Sequence, residues 1–588
     1  MRTRVPASAS APRGIHSLSP TFTRPDPRSI ACVTSAVWPT IRPPRLLSSG
    51  SLDTIGRSRS QRRAEKTKIS DSETQAMICS ASGGTETKAS TATASAAIAK
   101  DFNATHFDSY VVRAVKPDGL SMAEPALPDI TGFTKQAALN KIVRRHPGEI
   151  TLTRMVDLIE FDEFVGSDGR LATWAERQRQ NPVAIVLQDG LFRLSDVLGK
   201  VEPYHLEATE SGIYTLRLPL LITASATLLI DGSVRSLRLS QQAGAFLVND
   251  GRLFVADSEI VAWDEAAGKA AGYQSKKKFR PFMISWGGSE TYLIDSQFKH
   301  LGYGATKSYG ISFSQYSKSV ERHKTRSRPT GWIVGSTFDG LLYGFYCYEA
   351  DDVAIVGNVY KDSIIYGIDP HDRSLRLIIA ENTAFGTRER HGIIVSREVN
   401  DSWIFRNESY DNHGSGIMVD RQSTGNIVAY NKVHGNGSDG ITIYESPENL
   451  LYANQSIGNQ AHGYRVRNSV GVKLYENRAI ANAYTGINGH VRTLNDPTRD
   501  LALDPYDTRI SMVVVGGRLI HNGGGPISID QPVSVELYDV DMFAPANATG
   551  VEMSGVLGEH LPEVLDVMIR QRQAVVIEPD NIQRRVDG

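Results

Sequence analysis

The sequence predicts an all-β fold, a right-handed parallel β-helix with a small N-terminal α+β cap region and a C-terminal helical cap. Three observations carry that prediction. An asparagine recurs at Asn358, Asn382, Asn407, Asn431, Asn454 and Asn477, and a glycine at Gly367, Gly392, Gly416, Gly440, Gly463 and Gly486, at spacings of 23 to 25 residues. Short β-branched and apolar runs lie between these marks, and helical periodicity is nearly absent. A unit of this length cannot bury a face alone but can do so by stacking on copies of itself.

Gly344 and Gly310 extend the series backwards around a basic insertion at 318–328. Asparagines at one position of every unit should form an internal ladder, each side-chain amide bonding the next coil and satisfying polar groups at a buried corner. Asn407 and Asn454 also fit N-x-[ST], but the ladder accounts for the whole column. Leucine-rich repeats share the period, yet their regular Leu pattern is missing.

In chain order, residues 1–100 are expected to be a disordered, targeting or misassigned extension. They are rich in Arg, Ser and Pro, lack the apolar core of a secretory signal, and contain a later candidate start at Met77. The Ala/Ser/Thr run at 80–99 reads as a linker. Residues 101–210 are expected to form the N-terminal cap subdomain, with a strand at 109–114 and helices at 132–145 and 172–180. Residues 211–545 are assigned to the β-helix, beginning with strand-like runs at 214–222, 227–230, 245–249, 253–255, 282–286 and 291–294. The register weakens after His490, with runs at 510–515, 526–529 and 533–537. Residues 546–588, with a helix at 560–573, are expected to cap the stack, because open solenoid ends expose unpaired strand edges.

A formal charge of −1 over 588 residues gives no bulk field that would select nucleic acid or an anionic membrane. Cys32, Cys79 and Cys347 are too few and too scattered for a disulfide framework or a C-x-x-C metal site. No metal or cofactor is expected, and Cys347 is assigned to the core. No run approaches the roughly 18 apolar residues of a membrane span.

The repeat is interrupted at residues 366–374, Tyr-Gly-Ile-Asp-Pro-His-Asp-Arg-Ser. With each glycine as a register mark, residues one and three after it are apolar and face inward by strand alternation. Residues four after it are Ser314, Tyr348, His371, Ser396, Asp420, Tyr444 and Arg467, an outward column; two after it stand Ser312, Tyr346, Asp369 and Arg465. Coils about 4.8 Å apart would make these a continuous polar and aromatic stripe.

Arg373, Arg397, Arg421, Arg465 and Arg467 give the stripe local positive character, with Lys276, Lys277, Lys278 and Arg280 nearby in sequence. An extended acidic polysaccharide fits this better than a compact metabolite. Tyr348, Tyr366, Arg373, Ser396, Asp420, Arg421, Tyr444, Arg465 and Arg467 are the candidate substrate-binding residues. For any one of them the plain alternative is an ordinary solvated face.

His371 can take a proton near neutrality, and Asp369 or Asp372 could orient its ring. Arg397 lies one coil plus one residue further on and could neutralise a substrate carboxylate. Alternation puts Ser396 directly beside His371, so Arg397 contributes only if the strand ends in a turn there. A base with a carboxylate neutraliser points to abstraction of the C5 hydrogen of a uronic acid. Return of a proton to the opposite face gives an epimer, with Tyr348, Tyr366, Tyr444 or water as donor. Loss of the 4-O-linked sugar makes a lyase, and a non-catalytic polymer-binding export scaffold is the third reading.

Asp-Pro-His-Asp-Arg-Ser at 369–374 closely resembles the motif of the periplasmic mannuronan C5-epimerases of alginate biosynthesis. The likeness runs from about residue 108 to the C-terminus, through Arg280-Pro-Phe-Met-Ile-Ser-Trp-Gly-Gly-Ser-Glu, Leu301-Gly-Tyr-Gly and Arg328-Pro-Thr-Gly-Trp. It implies an isomerase that converts β-D-mannuronate to α-L-guluronate within polymannuronate, in the periplasm, beside alginate export and polymerisation proteins. It also implies His371 as base, Arg397 as carboxylate neutraliser, Asp369 and Asp372 in support, and no calcium, consistent with the lack of a G-G-x-G-x-D repeat. The family's signal peptide is not evident in this N-terminus, for which a misassigned start is the preferred explanation.

Overall fold

The computed structural model describes residues 107–580 except 118–119, 121–123, 144–145, 167–169, 180, 322–323, 325, 495–498 and 503. The expected extension, its linker, Met77, Cys32 and Cys79 lie outside the described residues. Three long sheets, each of fifteen strands, run side by side, and within them strands from successive coils pair in parallel. This is a parallel β-helix. Among the described residues no helix is long and apolar enough to cross a membrane.

The inward residues fill one continuous core, from Ile185 and Leu220 through Ile368, Ile393 and Ile417 to Ile527 and Leu537. Cys347 is a free, buried thiol within it. At one corner the predicted ladder is present: Nδ2 of Asn358, Asn382, Asn407, Asn431 and Asn454 each donates to the Oδ1 of the next asparagine at 2.9–3.0 Å. A backbone N–H of the same residue shares that acceptor, as at Asn407. A second ladder, Asn412, Asn436, Asn459, Asn482 and Asn522, lines the next corner. Four of its members stand five residues after an asparagine of the first ladder, so the same periodicity contained it.

Parallel stacking begins at Val183–Gln188, which pairs with Leu220–Ile222, ahead of the assigned start at 211. The run at 214–222 is two strands, Ile213–Leu216 and Leu220–Ile222, in different sheets; the chain turns at the corner between them, where Pro219 has no N–H to pair. The helix expected over 132–145 is reduced to Lys135–Leu139, capped by Thr134. Its apolar face offers only Ala138, Leu139 and Ile142 to the coils. The C-terminal helix breaks into Val556–Glu559, Leu561–Leu565 and a wider turn over Asp566–Gln571. A strand not foreseen, Ala574–Pro579, follows.

That last strand pairs antiparallel with both Ser534–Tyr538 and Tyr110–Val115. From there the N-terminal segment runs back along one sheet. Leu120 packs by Leu450, Tyr475 and Val515, Leu127 and Ile130 pack by Phe405 and Ala429, and the Lys135–Leu139 helix packs by Phe254 and Tyr292. The segment is therefore a lengthwise strap over an apolar outer face.

A different cover positions the site. On the sheet that carries residues 366–371, the outward column two after each glycine reads Val186, Leu221, Val248, Ile284, Ser312, Tyr346 and Asp369 in register. Its apolar members lie beneath Met155, Phe161, Phe164 and Trp174 of the N-terminal subdomain, with Val320 of the basic insertion and Tyr316 just before it. The column turns polar at Ser312 and stays buried through Tyr346 and Asp369.

Candidate active site

The column four after each glycine is in register as expected: Ser314, Tyr348, His371, Ser396, Asp420, Tyr444, Arg467 and then His490. The column is less open than strand alternation implies. Ser314, Ser396 and Asp420 are buried, as is Asp369 of the two-after column. His371 keeps a side-chain exposure of 25% and Arg397 of 33%.

The strand Ile393–Ser396 ends at Ser396, and Arg397 takes a left-handed φ of 63°. The condition on which Arg397 depended is met. The same turn recurs in neighbouring coils, where Asp372, Arg397 and Arg421 have φ of 36°, 63° and 51°. Asp372 N–H donates to Ser396 O and Arg397 N–H donates to Asp420 O, at 3.0 and 3.1 Å, so the ladder continues through the turn. Ser374 Oγ donates to His371 O, and Arg328 Nη1 donates to Arg373 O, holding the motif's turn.

His371 Nδ1 is hydrogen-bonded to the Asp372 carboxylate. An ionised carboxylate only accepts, so Nδ1 carries the proton and the neutral ring has its lone pair on Nε2. The other Asp372 oxygen lies 3.7 Å from Arg397 Nη1. Burial pulls the His371 pKa down, but the Asp372 bond and the charges of Asp372 and Asp369 outweigh it, and the net shift is upward. Burial pushes Asp372 up, whereas His371, Arg397 and Arg373 bring it below its ordinary value. Asp369 is raised to about 7, chiefly by burial.

Arg373 binds Glu349 at 2.6 Å and its Nη2 donates to Tyr348 Oη at 3.0 Å. Arg465 pairs with Asp439 and donates to Tyr444 Oη, and Arg467 pairs with Glu445 and stacks over the Tyr444 ring at 3.6 Å. The positive stripe is thus largely matched by the chain's own carboxylates. Arg280 is buried against the carbonyls of Gly302, Gly340 and Leu301 and so leaves the basic cluster, Lys276 pairs with Glu389, and Lys277 and Lys278 are exposed.

Two arrangements escaped the sequence reading, although Tyr366 itself was a candidate. The residue before each register glycine forms a third column, Tyr309, Tyr343, Tyr366 and His391, with ring centroids 4.7, 5.3 and 5.9 Å apart. The same register would have found it, one place earlier. His391 Nδ1 accepts the Ser415 N–H, and burial pulls its pKa to about 3. The second group, Arg499 and Asp504, reaches the site from the segment at 491–509, where the repeat signal lapses. Asp504 lies 3.3 Å from Arg421 and 3.9 Å from Arg397.

A family described as Periplasmic copper-binding protein (NosD) matches residues 314–485, the repeating coils. Among the described residues no three His, Cys, Asp or Glu side chains converge to hold a metal ion. The Pseudomonas putida protein named Mannuronan C5-epimerase is 50% identical over 471 residues, covering 80% of this chain and 91% of that one. This chain belongs to the mannuronan C5-epimerase family. The Pseudomonas aeruginosa protein of the same name is 52% identical over 80% of this chain and 87% of its own. The crystal structure of the periplasmic alginate epimerase AlgG is 49% identical, covers 72% of this chain and all of that one, and superposes with a TM-score of 0.71. In this epimerase-family chain the exposed edge of His371 and Arg397, whose carboxylate contacts are 3.7 and 3.9 Å, therefore stand on adjacent rungs of a parallel β-helix.

Proposed function

We propose that His371 is the base and Arg397 the carboxylate neutraliser of a C5 epimerisation, with Asp372 linking the two across adjacent rungs. The chain is an isomerase of the periplasm that converts mannuronate to guluronate within alginate. The observation that carries the residue assignment is the Asp372 carboxylate, which bonds His371 Nδ1 and faces Arg397 Nη1 at 3.7 Å. It leaves the Nε2 lone pair and a guanidinium fork directed at one sugar.

The hydrogen at C5 is acidic only if the negative charge developing on the adjacent carboxylate is stabilised. Arg397 supplies that charge, and its fork suits a bidentate carboxylate. His371 Nε2 takes the proton, Asp372 stabilises the imidazolium that results, and a proton returns from the opposite face of the ring. Tyr444 stands three rungs from His371, about 14 Å, too far to reach the same carbon, which leaves Tyr348, Tyr366 and water of the expected donors. Tyr348, Tyr366 and Arg373 flank the reacting rung as substrate contacts, and Arg465, Arg467 and Tyr444 form a platform further along. Asp369, with its carboxyl raised toward neutrality, supports the rung from beneath.

Action beside the polymerisation and export proteins belongs to the same proposal; crosslinking in periplasm followed by co-purification tests it. The reaction itself is tested with purified protein and polymannuronate in heavy water. Deuterium should appear at C5 with guluronate signals in proton NMR and no chain shortening, and His371→Ala should lose both. Absorbance from an unsaturated uronate would replace the epimerase reading with the lyase.

A further inference from the structure

Six arginines crowd the outward face around and beyond His371, and their pairing is uneven. Arg373, Arg465, Arg467 and Arg499 each hold a carboxylate at 2.5–2.9 Å. Arg421, only 11% exposed, has Asp504 at 3.3 Å and Asp420 at 3.7 Å. Among the described residues the nearest carboxylates to Arg397, Asp372 and Asp504, stand off at 3.7 and 3.9 Å. Arg397 and Arg421 occupy the same turn position in adjacent coils. By coil geometry alone they are two equivalent seats for a carboxylate, about one strand spacing apart.

What makes them unequal comes from outside the coils. Arg499 is buried; its Nη1 bonds Glu445 and its Nη2 bonds Asp504 Oδ1. Its Nε donates to Asp504 O, and Gln422 Nε2 donates to Pro505 O. These bonds aim Asp504 Oδ2 at Arg421. We propose that Asp504 is a specificity-determining residue: its carboxylate fills the seat at Arg421, so that a uronate carboxylate of the polymer is received at Arg397 alone. A sugar seated at Arg421 would carry its C5 hydrogen one rung away from His371 Nε2 and could not react. Asp504 thereby excludes a register of binding that is unproductive.

The inference rests on the base and neutraliser assignments above, and it has a kinetic signature of its own. Opening a second, unproductive seat lowers KM and kcat together and leaves kcat/KM unchanged, since the productive complex is untouched. Asp504→Asn keeps the side-chain size and an acceptor for Arg499. It should lower both constants by roughly five-fold, the scale of one partly screened ion pair, with kcat/KM within about twofold of the parent. Direct titration with a mannuronate oligomer should show tighter binding by a similar factor, diminishing at high salt. Adding Arg421→Gln to Asp504→Asn should remove the gain in affinity.

A fall in kcat/KM at constant KM would overturn the proposal, because it would make Asp504 a support that orients Arg397. Unchanged kinetics and binding in a variant with the parent's melting temperature would overturn it as well. The oligomer titration needs no turnover. A parent that binds the oligomer but forms no guluronate would therefore refute the epimerase mechanism while the comparison of affinities still tests Asp504.

Discussion

Replacing Asp372 by Asn isolates the contact on which the proposed chemistry turns. The side chain keeps its shape but loses its charge, which faces His371 Nδ1, Arg397 Nη1 at 3.7 Å and Arg373 Nη1 at 3.9 Å. A charge-assisted hydrogen bond is worth about 1.5–3 kcal/mol, or roughly one to two decades in rate. Loosening Arg397 adds to the loss, so kcat should fall about 100-fold or more, within the range of general-base catalysis. The pH dependence gives a second readout. A base must be neutral to act, and Asp372 is the principal group raising the His371 pKa against the opposing effect of burial. In the parent the rising limb of kcat/KM should therefore lie above pH 6.5. Without the carboxylate burial prevails, the imidazolium is disfavoured, and the limb should move to lower pH. Initial rates of guluronate formation by proton NMR between pH 5 and 9 measure both effects. A limb that stays in place or moves upward, or a variant with near-parent kcat, would refute the assignment of His371 as a base tuned by Asp372.

Three further outcomes are expected. Asp369 titrates near 7 in the folded chain against an ordinary 3.8, so the folded state retains its proton longer and stability falls as pH rises through that window. The difference is at most about 4 kcal/mol. Asp369→Asn should flatten the change in urea midpoint between pH 4 and pH 8, and an identical slope in both proteins would contradict the burial argument. Arg397→Ala should lower kcat/KM on polymannuronate by about 100-fold or more, with Arg397→Lys intermediate because an ammonium keeps the charge but not the fork; equal rates for Ala and Lys would remove charge neutralisation from the mechanism. Asn431→Ala, in mid-ladder, strips the shared acceptor from Asn407 N and Nδ2. It should cost about 2–5 kcal/mol in denaturant melts, and a loss under 1 kcal/mol would mean that water replaces the amide.

The coils were legible because their constraint is periodic. A residue that must satisfy the same corner in every turn is written into the sequence once per turn, and Asn358 to Asn477 and Gly367 to Gly486 gave the register that aligns Tyr348, His371, Ser396 and Asp420. Local spacing also carried the link from His371 to Asp372. It failed where partners come from outside the period. Nothing near Asp504 in sequence marks it as a neighbour of Arg421, 83 residues earlier, and alternation alone could not show that Asp369 and Ser396 point outward yet are covered. The strand at Ala574–Pro579 was missed for a related reason, since its partner, Tyr110–Val115, stands at the other end of the chain.

That pairing bears on how the molecule is made and how it comes apart. Linear stacks ordinarily fray from their ends, each terminal coil being held by one neighbour. Here Tyr110 meets Pro579, 469 positions later, and Leu120, Leu127, Ile130 and the Lys135–Leu139 helix pack on well-separated coils of one sheet. Neither terminal coil can detach without the strap also letting go, so melting should be one cooperative event rather than a progressive unzipping. During synthesis and export the cost runs the other way. Tyr110–Val115 must wait for Ala574–Pro579, made more than 450 residues later, and until then its apolar residues and the sheet they cover are exposed. A clasp closed only by Ala574–Pro579 makes the arrival of that strand a condition of the stack's durability.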